Sequence, residues 1–138
     1  MNVKRWLLAG LAAFAAVFVV DFVVHGRLLM GLYQQTSAIW RPEAEANQKM
    51  RLMMLGQLLF GLIFAAIYIK GYEPRKAGAG QGIRYGLWIG LLLAVPAICV
   101  WYVVLPIPFA LARGWALAHL AECLVAGALV GFIYQPED

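Results

Sequence analysis

The chain is poor in charge. Of its 138 residues 13% are Asp, Glu, Lys or Arg, while 64% are hydrophobic. An ordinary soluble domain carries about a quarter charged residues, so that class is excluded. Serine is almost missing as well. Ser37 is the only one, and no nucleophile motif surrounds it, which leaves a serine-hydrolase reading without support. Two cysteines occur, Cys99 and Cys123, with no Cys-x-x-Cys. This excludes a disulfide scaffold and a thiol-exchange enzyme, and both residues are expected as small buried core side chains. The net charge of +4 comes without a basic stripe interleaved with aromatics and without zinc-finger spacing, so no nucleic-acid partner is expected.

What the chain has in abundance is uninterrupted apolar sequence. Residues 6–20, 52–69, 85–112 and 123–134 contain no Asp, Glu, Lys or Arg. A hydrocarbon core of ~30 Å takes ~20 helical residues. Four spans fit, at about 6–26, 52–70, 82–105 and 114–134. The expected fold is all-α, an integral membrane antiparallel four-helix bundle forming one domain over residues 1–138. Lys4 and Arg5 followed by an apolar run and Ala13-Phe14-Ala15 have the outline of a secretory signal. The run continues through Val20 with no polar region before a cut, so it is read as a retained first span.

The connections carry the charge. Residues 27–51 are expected to be partly helical and to project from the membrane or lie at its surface. Trp40-Arg41-Pro42-Glu43 reads as a helix start, with Pro42 in the first turn, Glu43 and Glu45 near the positive end of the dipole and Glu45 paired with Lys49 four residues on. If residues 42–70 formed one helix it would be ~43 Å long. The next connection, residues 70–84, is basic and Gly-rich and is expected to be flexible. No strand precedes it and the P-loop spacing is missing, so it is not read as a phosphate cradle. Pro96 is expected to kink span three, and the chain closes on the acidic pair Glu137-Asp138.

Charge placement sets the orientation. Lys4, Arg5, Lys70, Arg75, Lys76 and Arg84 fall on one side, and Arg27, Arg41, Lys49, Arg51 and Arg113 on the other. The second connection holds four basic residues and the third holds one. That contrast assigns the N- and C-termini to the cytoplasm. Aromatic residues follow the same boundaries, with Trp6, Tyr68, Tyr72, Tyr85, Trp88 and Tyr134 inside and Trp40, Trp101, Tyr102 and Trp115 outside.

Four ionisable side chains then stand out because they lie within the spans. Asp21 and His25 are one helical turn apart on span one, and His119 and Glu122 share a face of span four. With spans one and four running in opposite directions, Asp21 and His119 both lie ~7 Å below the outer boundary and Glu122 ~12 Å below it. Gln57 falls at a similar depth. Intramembrane ionisable residues are costly and face protein rather than lipid. Two acids together in low dielectric need a shared proton, a cation or a basic partner, and Arg51 is a candidate for the last. The inner halves carry Gly82-x-x-x-Gly86-x-x-x-Gly90 and Gly127-x-x-x-Gly131, which predicts a tight helix contact there or, in competition, a homo-oligomer interface.

Two functional classes follow. In the first, an accessory or scaffolding membrane subunit or a homo-oligomer uses the polar layer near the outer boundary to fix helix register. The sequence favours this class, since no catalytic motif is present. In the second, Asp21, His25, His119 and Glu122 serve a metal-binding or proton-coupled small transporter or a membrane enzyme. A divalent metal, zinc or non-haem iron, suits that ligand set, with Gln57 and Arg51 around it. Cu(I), drawing on Met30, Met50, Met53 and Met54, and haem held by the two histidines rank below it. The partners expected are the lipid bilayer, and either a second copy or a larger membrane complex. The localisation expected is a membrane, the bacterial inner (plasma) membrane, crossed several times.

Overall fold

The computed structural model describes residues 2–76 and 78–135, and these are helical with no strand among them. Glu137-Asp138 lies outside the described residues. Helix α1 runs Val3–Val23 and continues into a π-helical turn, Val24–Leu28. Two short helices follow, α2 (Met30–Gln35) and α3 (Glu43–Gln48), then α4 (Met50–Lys70). Helix α5 (Ala79–Pro96) passes into a second π-helical turn, Ala97–Trp101, and the single turn α6 (Tyr102–Val104). Helix α7 spans Phe109–Ile133. The four segments Val3–Leu28, Met50–Lys70, Ala79–Val104 and Phe109–Ile133 are long and apolar enough to cross a membrane. Their outward faces are apolar too. Leu52, Trp88, Leu92, Val103 and Phe132 are each about two-thirds exposed or more, as helices bathed in hydrocarbon require.

Small residues decide how the helices meet. Helices α5 and α7 form the most extensive contact, α1 packs on both α7 and α4, and α4 and α5 approach each other far less. Gly82 lies against Gly127 and Gly131, Gly86 against Cys123 and Gly127, and Gly90 against His119 and Leu120, so the two helices run antiparallel. A Cβ added at Gly82, Gly86 or Gly127 would overlap a backbone carbonyl across the interface. The expected close glycine contact is therefore present within the chain. A second one joins α1 and α4, where a Cβ on Gly61 would sit 2.7 Å from Phe14 N. Ala9, Ala13 and Ala16 of α1 pack with Phe64 and Ala65 of α4 and Ala126 and Val130 of α7.

The two ends of the molecule differ. At the end where α1 begins and α7 finishes, aromatic side chains close the space between α4 and α5. Tyr85 Oη donates to the Phe64 carbonyl at 2.8 Å, the buried Tyr68 Oη lies 3.2 Å from Gln81 Oε1, and the Phe64 and Tyr85 rings are 4.6 Å apart. At the opposite end, the loop end, the segment joining α1 to α4 folds back over the helices. Leu29 packs with Ile107, Leu111 and Ala112, flanked by Tyr33, Trp40 and Trp115.

Four local expectations are corrected. The chain from Pro42 to Lys70 is interrupted at Lys49, where i→i+3 bonding from Lys49 N to the Ala46 carbonyl ends α3. Pro42 caps α3 rather than occupying its first turn, while Glu45 reaches both Arg41 and Lys49. The Gly-rich stretch expected to be flexible is helical from Ala79 onward, with only Gly78 in a positive-φ conformation. Close packing on α7 holds Gly82 and Gly86 in that helix despite their low propensity. At Pro96 the α-helix changes form without breaking the span. Having no N–H to give, Pro96 is followed by the wider π-helical turn. Cys99 lies in that turn and is exposed, whereas Cys123 is buried as expected.

Candidate metal centre

The polar layer assembles from three of the four long helices, with the fourth closing it. Asp21 is carried by α1 and His25 by the π-helical turn that follows, where Leu29 N bonds back five residues to the Val24 carbonyl. Such turns widen a helix locally and re-aim its side chains, and they recur at functional sites. Gln57 comes from α4, and His119 and Glu122 from α7.

Asp21 is the hub. Gln57 Nε2 donates to its Oδ2 at 2.5 Å, and His25 Nε2 lies 3.5 Å from its Oδ1. One ligand-type atom from each of Asp21, His25 and Glu122 lies within 4.8 Å of the other two. For three atoms so spaced there is always a point no farther than about 2.8 Å from any of them. Zinc–nitrogen and zinc–oxygen bonds are about 2.0–2.2 Å, so a contraction of roughly 0.6 Å completes the geometry. His119 stands beside this group, its Nδ1 3.6 Å from Glu122 Oε2. The side chain of Glu122 is 6% exposed, and its Oε1 is buried without a hydrogen-bond partner, as is Oε1 of Gln57. Buried acceptors are normally satisfied, and two orphans beside a carboxyl pair mark a place that lacks positive charge or protons.

Two cavities flank Asp21 and Gln57. One, of about 280 Å³, is an open cleft lined by all four long helices that reaches His119 and Glu122, with Val17, Phe60 and Leu93 as apolar wall. The other, of about 350 Å³, lies between α1 and α4 on the His25 side and is walled by Phe18, Phe22, Met50 and Met53.

No family model, curated protein or solved structure matches the chain. The chemistry is therefore read from the side chains alone. Asp21, His25 and Glu122 offer two carboxylates and an imidazole, a hard-to-borderline set that suits zinc or iron. Arg51 does not join them. It sits at the exposed start of α4, and the partners of the two acids are Gln57, the histidines and each other. Of the methionines proposed for copper, Met50 and Met53 share the cavity with His25, while Met30 and Met54 do not line it.

One participant was not legible in the sequence. Tyr33, on α2, places its hydroxyl 2.6 Å from His25 Nδ1 and accepts a hydrogen bond from Trp115 Nε1 at 2.7 Å. Burial pushes the Tyr33 hydroxyl up from its ordinary pKa, partly opposed by the Trp115 hydrogen bond. Tyr33 therefore stays a neutral phenol. Its ring meets Trp40 edge-on at 5.5 Å, and Trp40 meets Trp115 at 6.1 Å. This aromatic group holds the Nδ1 side of His25, so that Nε2 faces the carboxyls. A metal-ligating imidazole is ordinarily oriented in this way by a partner on its other nitrogen.

Proposed function

We propose that the protein is a small multi-pass protein of a bacterial inner membrane that binds one divalent metal ion, zinc or non-haem iron, through Asp21, His25 and Glu122. In this reading the chain is a single antiparallel four-helix bundle with both termini cytoplasmic, and the site lies near the outer boundary. His119 serves as a fourth ligand or as a hydrogen-bond partner of Glu122. The observation that carries the proposal is the buried, unpartnered Oε1 of Glu122 within a carboxylate–carboxylate–imidazole group. A cation answers both needs at once, neutralising two acids in low dielectric and satisfying the orphan oxygen.

Binding is favoured over transport. From Glu122 toward the terminal end, the route meets the glycine contact of α5 with α7 and then the packed Phe64, Tyr68 and Tyr85 rings, with the Cys123 thiol and the two phenols but no carboxylate or histidine on the way among the described residues. A site with a closed floor holds an ion rather than passing it on. A second reading, an accessory subunit or homo-oligomer whose polar layer sets helix register, draws on the edge position of α4. That helix contacts chiefly α1 and leaves Leu52, Leu55, Leu59, Ile63 and Ile67 exposed on its outer face.

Gently extracted protein is to be analysed for bound metal and for mass under native conditions, then melted with and without added Zn²⁺. One ion per chain is expected, and at 100 times Kd about 2.7 kcal/mol of stabilisation. Both are lost in Glu122→Gln and His25→Ala. Wild-type protein that neither carries nor responds to zinc or iron removes the metal reading and leaves the register role. A stable oligomer in the same native spectrum supports the second reading.

A further inference from the structure

A site with three protein donors keeps at least one coordination position open in the geometries zinc adopts. What fills that position depends on what adjoins it. On one side lies the cavity with His119 and Gln57, which offers protein groups or water. On the other, Asp21 and His25 themselves form part of the wall of the 350 Å³ cavity. Apart from Gly26 and the Gln57 amide, the remainder of that wall is hydrocarbon and thioether, from Phe18, Phe22, Met50 and Met53. These four side chains are 40%, 58%, 42% and 51% exposed, so the cavity belongs to the outer, apolar faces of α1 and α4. A water-soluble ligand would meet hydrophobic walls on every approach except the metal. An alkyl chain would meet the medium it already occupies in the bilayer. The volume lies at the low end of small-molecule sites, roughly 300–1,000 Å³, which suits a compact polar head with a short stretch of chain.

We propose that this cavity is a binding site for a lipid-borne amphiphile, a hydrocarbon chain ending in an oxygen donor. The chain lies against Phe18, Phe22, Met50 and Met53, and the oxygen takes the open position on the metal. The proposal rests on the metal reading above and adds the class of ligand. Gln57 borders the cavity as well and is available to the polar head.

The test uses the full chain in lipid nanodiscs loaded with Co²⁺, whose visible spectrum reports its coordination. Octanohydroxamate is titrated against acetohydroxamate, which has the same donor group and no chain. The long-chain probe is expected to perturb the spectrum at a concentration at least tenfold lower. Met53→Trp and Met50→Trp narrow the cavity from positions that do not ligate the metal. Each is expected to reduce the chain-length advantage to less than threefold while Co²⁺ uptake and acetohydroxamate binding stay unchanged. Because partition of the probes into the lipid is the same for every variant, it cannot produce that difference. Equal response to the two probes in the wild type, or an advantage that survives both tryptophans, overturns the amphiphile site and leaves the metal site standing. If the wild type takes up no Co²⁺, both fall together.

Discussion

Replacing Gly86 by alanine puts the helix contact that closes the terminal half of the molecule to a quantitative test. A Cβ at this position would overlap the carbonyl oxygen of Cys123, approach its carbonyl carbon to 2.8 Å and reach 3.2 Å from Leu124 Cα. All three neighbours are helix backbone and cannot rotate aside, so α5 and α7 must separate. Overpacking of this kind costs about 1–3 kcal/mol. Alanine returns roughly 0.5–1 kcal/mol through its better helix propensity. The net is a loss of up to about 2.5 kcal/mol, and roughly 1 kcal/mol at the middle of the two ranges. Gly56→Ala on α4 is the matched control, since nothing lies within 4 Å of its added methyl. There the propensity gain stands alone and the variant is expected to be more stable by about 0.5–1 kcal/mol. Unfolding in mixed micelles, followed by tryptophan fluorescence as denaturing detergent is titrated in, reads both variants on one scale. A Gly86→Ala variant more stable than the wild type, or two alanines that both stabilise, would show that no rigid backbone contact closes this half.

Other expectations concern the site and its surroundings. Tyr33→Phe removes the hydroxyl that holds His25 Nδ1 and strands Trp115 Nε1; metal affinity measured by competition with a chelator should fall about 10–100-fold. Unchanged affinity would show that His25 is oriented without it. Gln57→Leu takes the amide donor from Asp21 Oδ2, and without metal the variant should lose stability by about 1.5–3 kcal/mol, the worth of a hydrogen bond to a charged group. A neutral outcome would mean that Asp21 is protonated and satisfied elsewhere. In the basic connection, Lys76 lies 2.6 Å from Glu73 and holds its carboxyl below the ordinary range. Lys76→Ala should therefore move the Glu73 titration upward, read by NMR, with no change in thermal stability because both side chains are solvated.

Much of the architecture could be read from the chain because the physics behind it is local. Four charge-free blocks specify four long helices, and glycines four apart specify where backbones touch. The meeting of Asp21 with Glu122 was also within reach, since opposite directions of α1 and α7 bring residues of known depth to one level. Arg51 was misplaced for a related reason. Charge balance nominated it, but its position at the first turn of α4 keeps it at the exposed margin. The interruption at Lys49 and the π-helical turn at Val24–Leu28 leave little trace in hydropathy, since both shift a helix by a single residue. Tyr33 was hidden more deeply. Its nearness to His25 depends on the chain turning back after Leu29, and that turn is set by Leu29 fitting over Gly114, a contact between residues far apart in sequence. Tyr33 and Trp40, the two aromatic residues of the connection between α1 and α4, are the one available hint.

The carboxyl pair straddles a seam. Asp21 enters the membrane with the hairpin formed by α1 and α4, whereas Glu122 enters with the hairpin formed by α5 and α7. Neither hairpin owns the site, and each inserts with a single acid that has no counterpart in lipid. Docking of the two halves is what brings the acids together and creates a demand for a cation. On the metal reading proposed above, ion occupancy reports that the halves have found each other, so the same ion seals correct assembly.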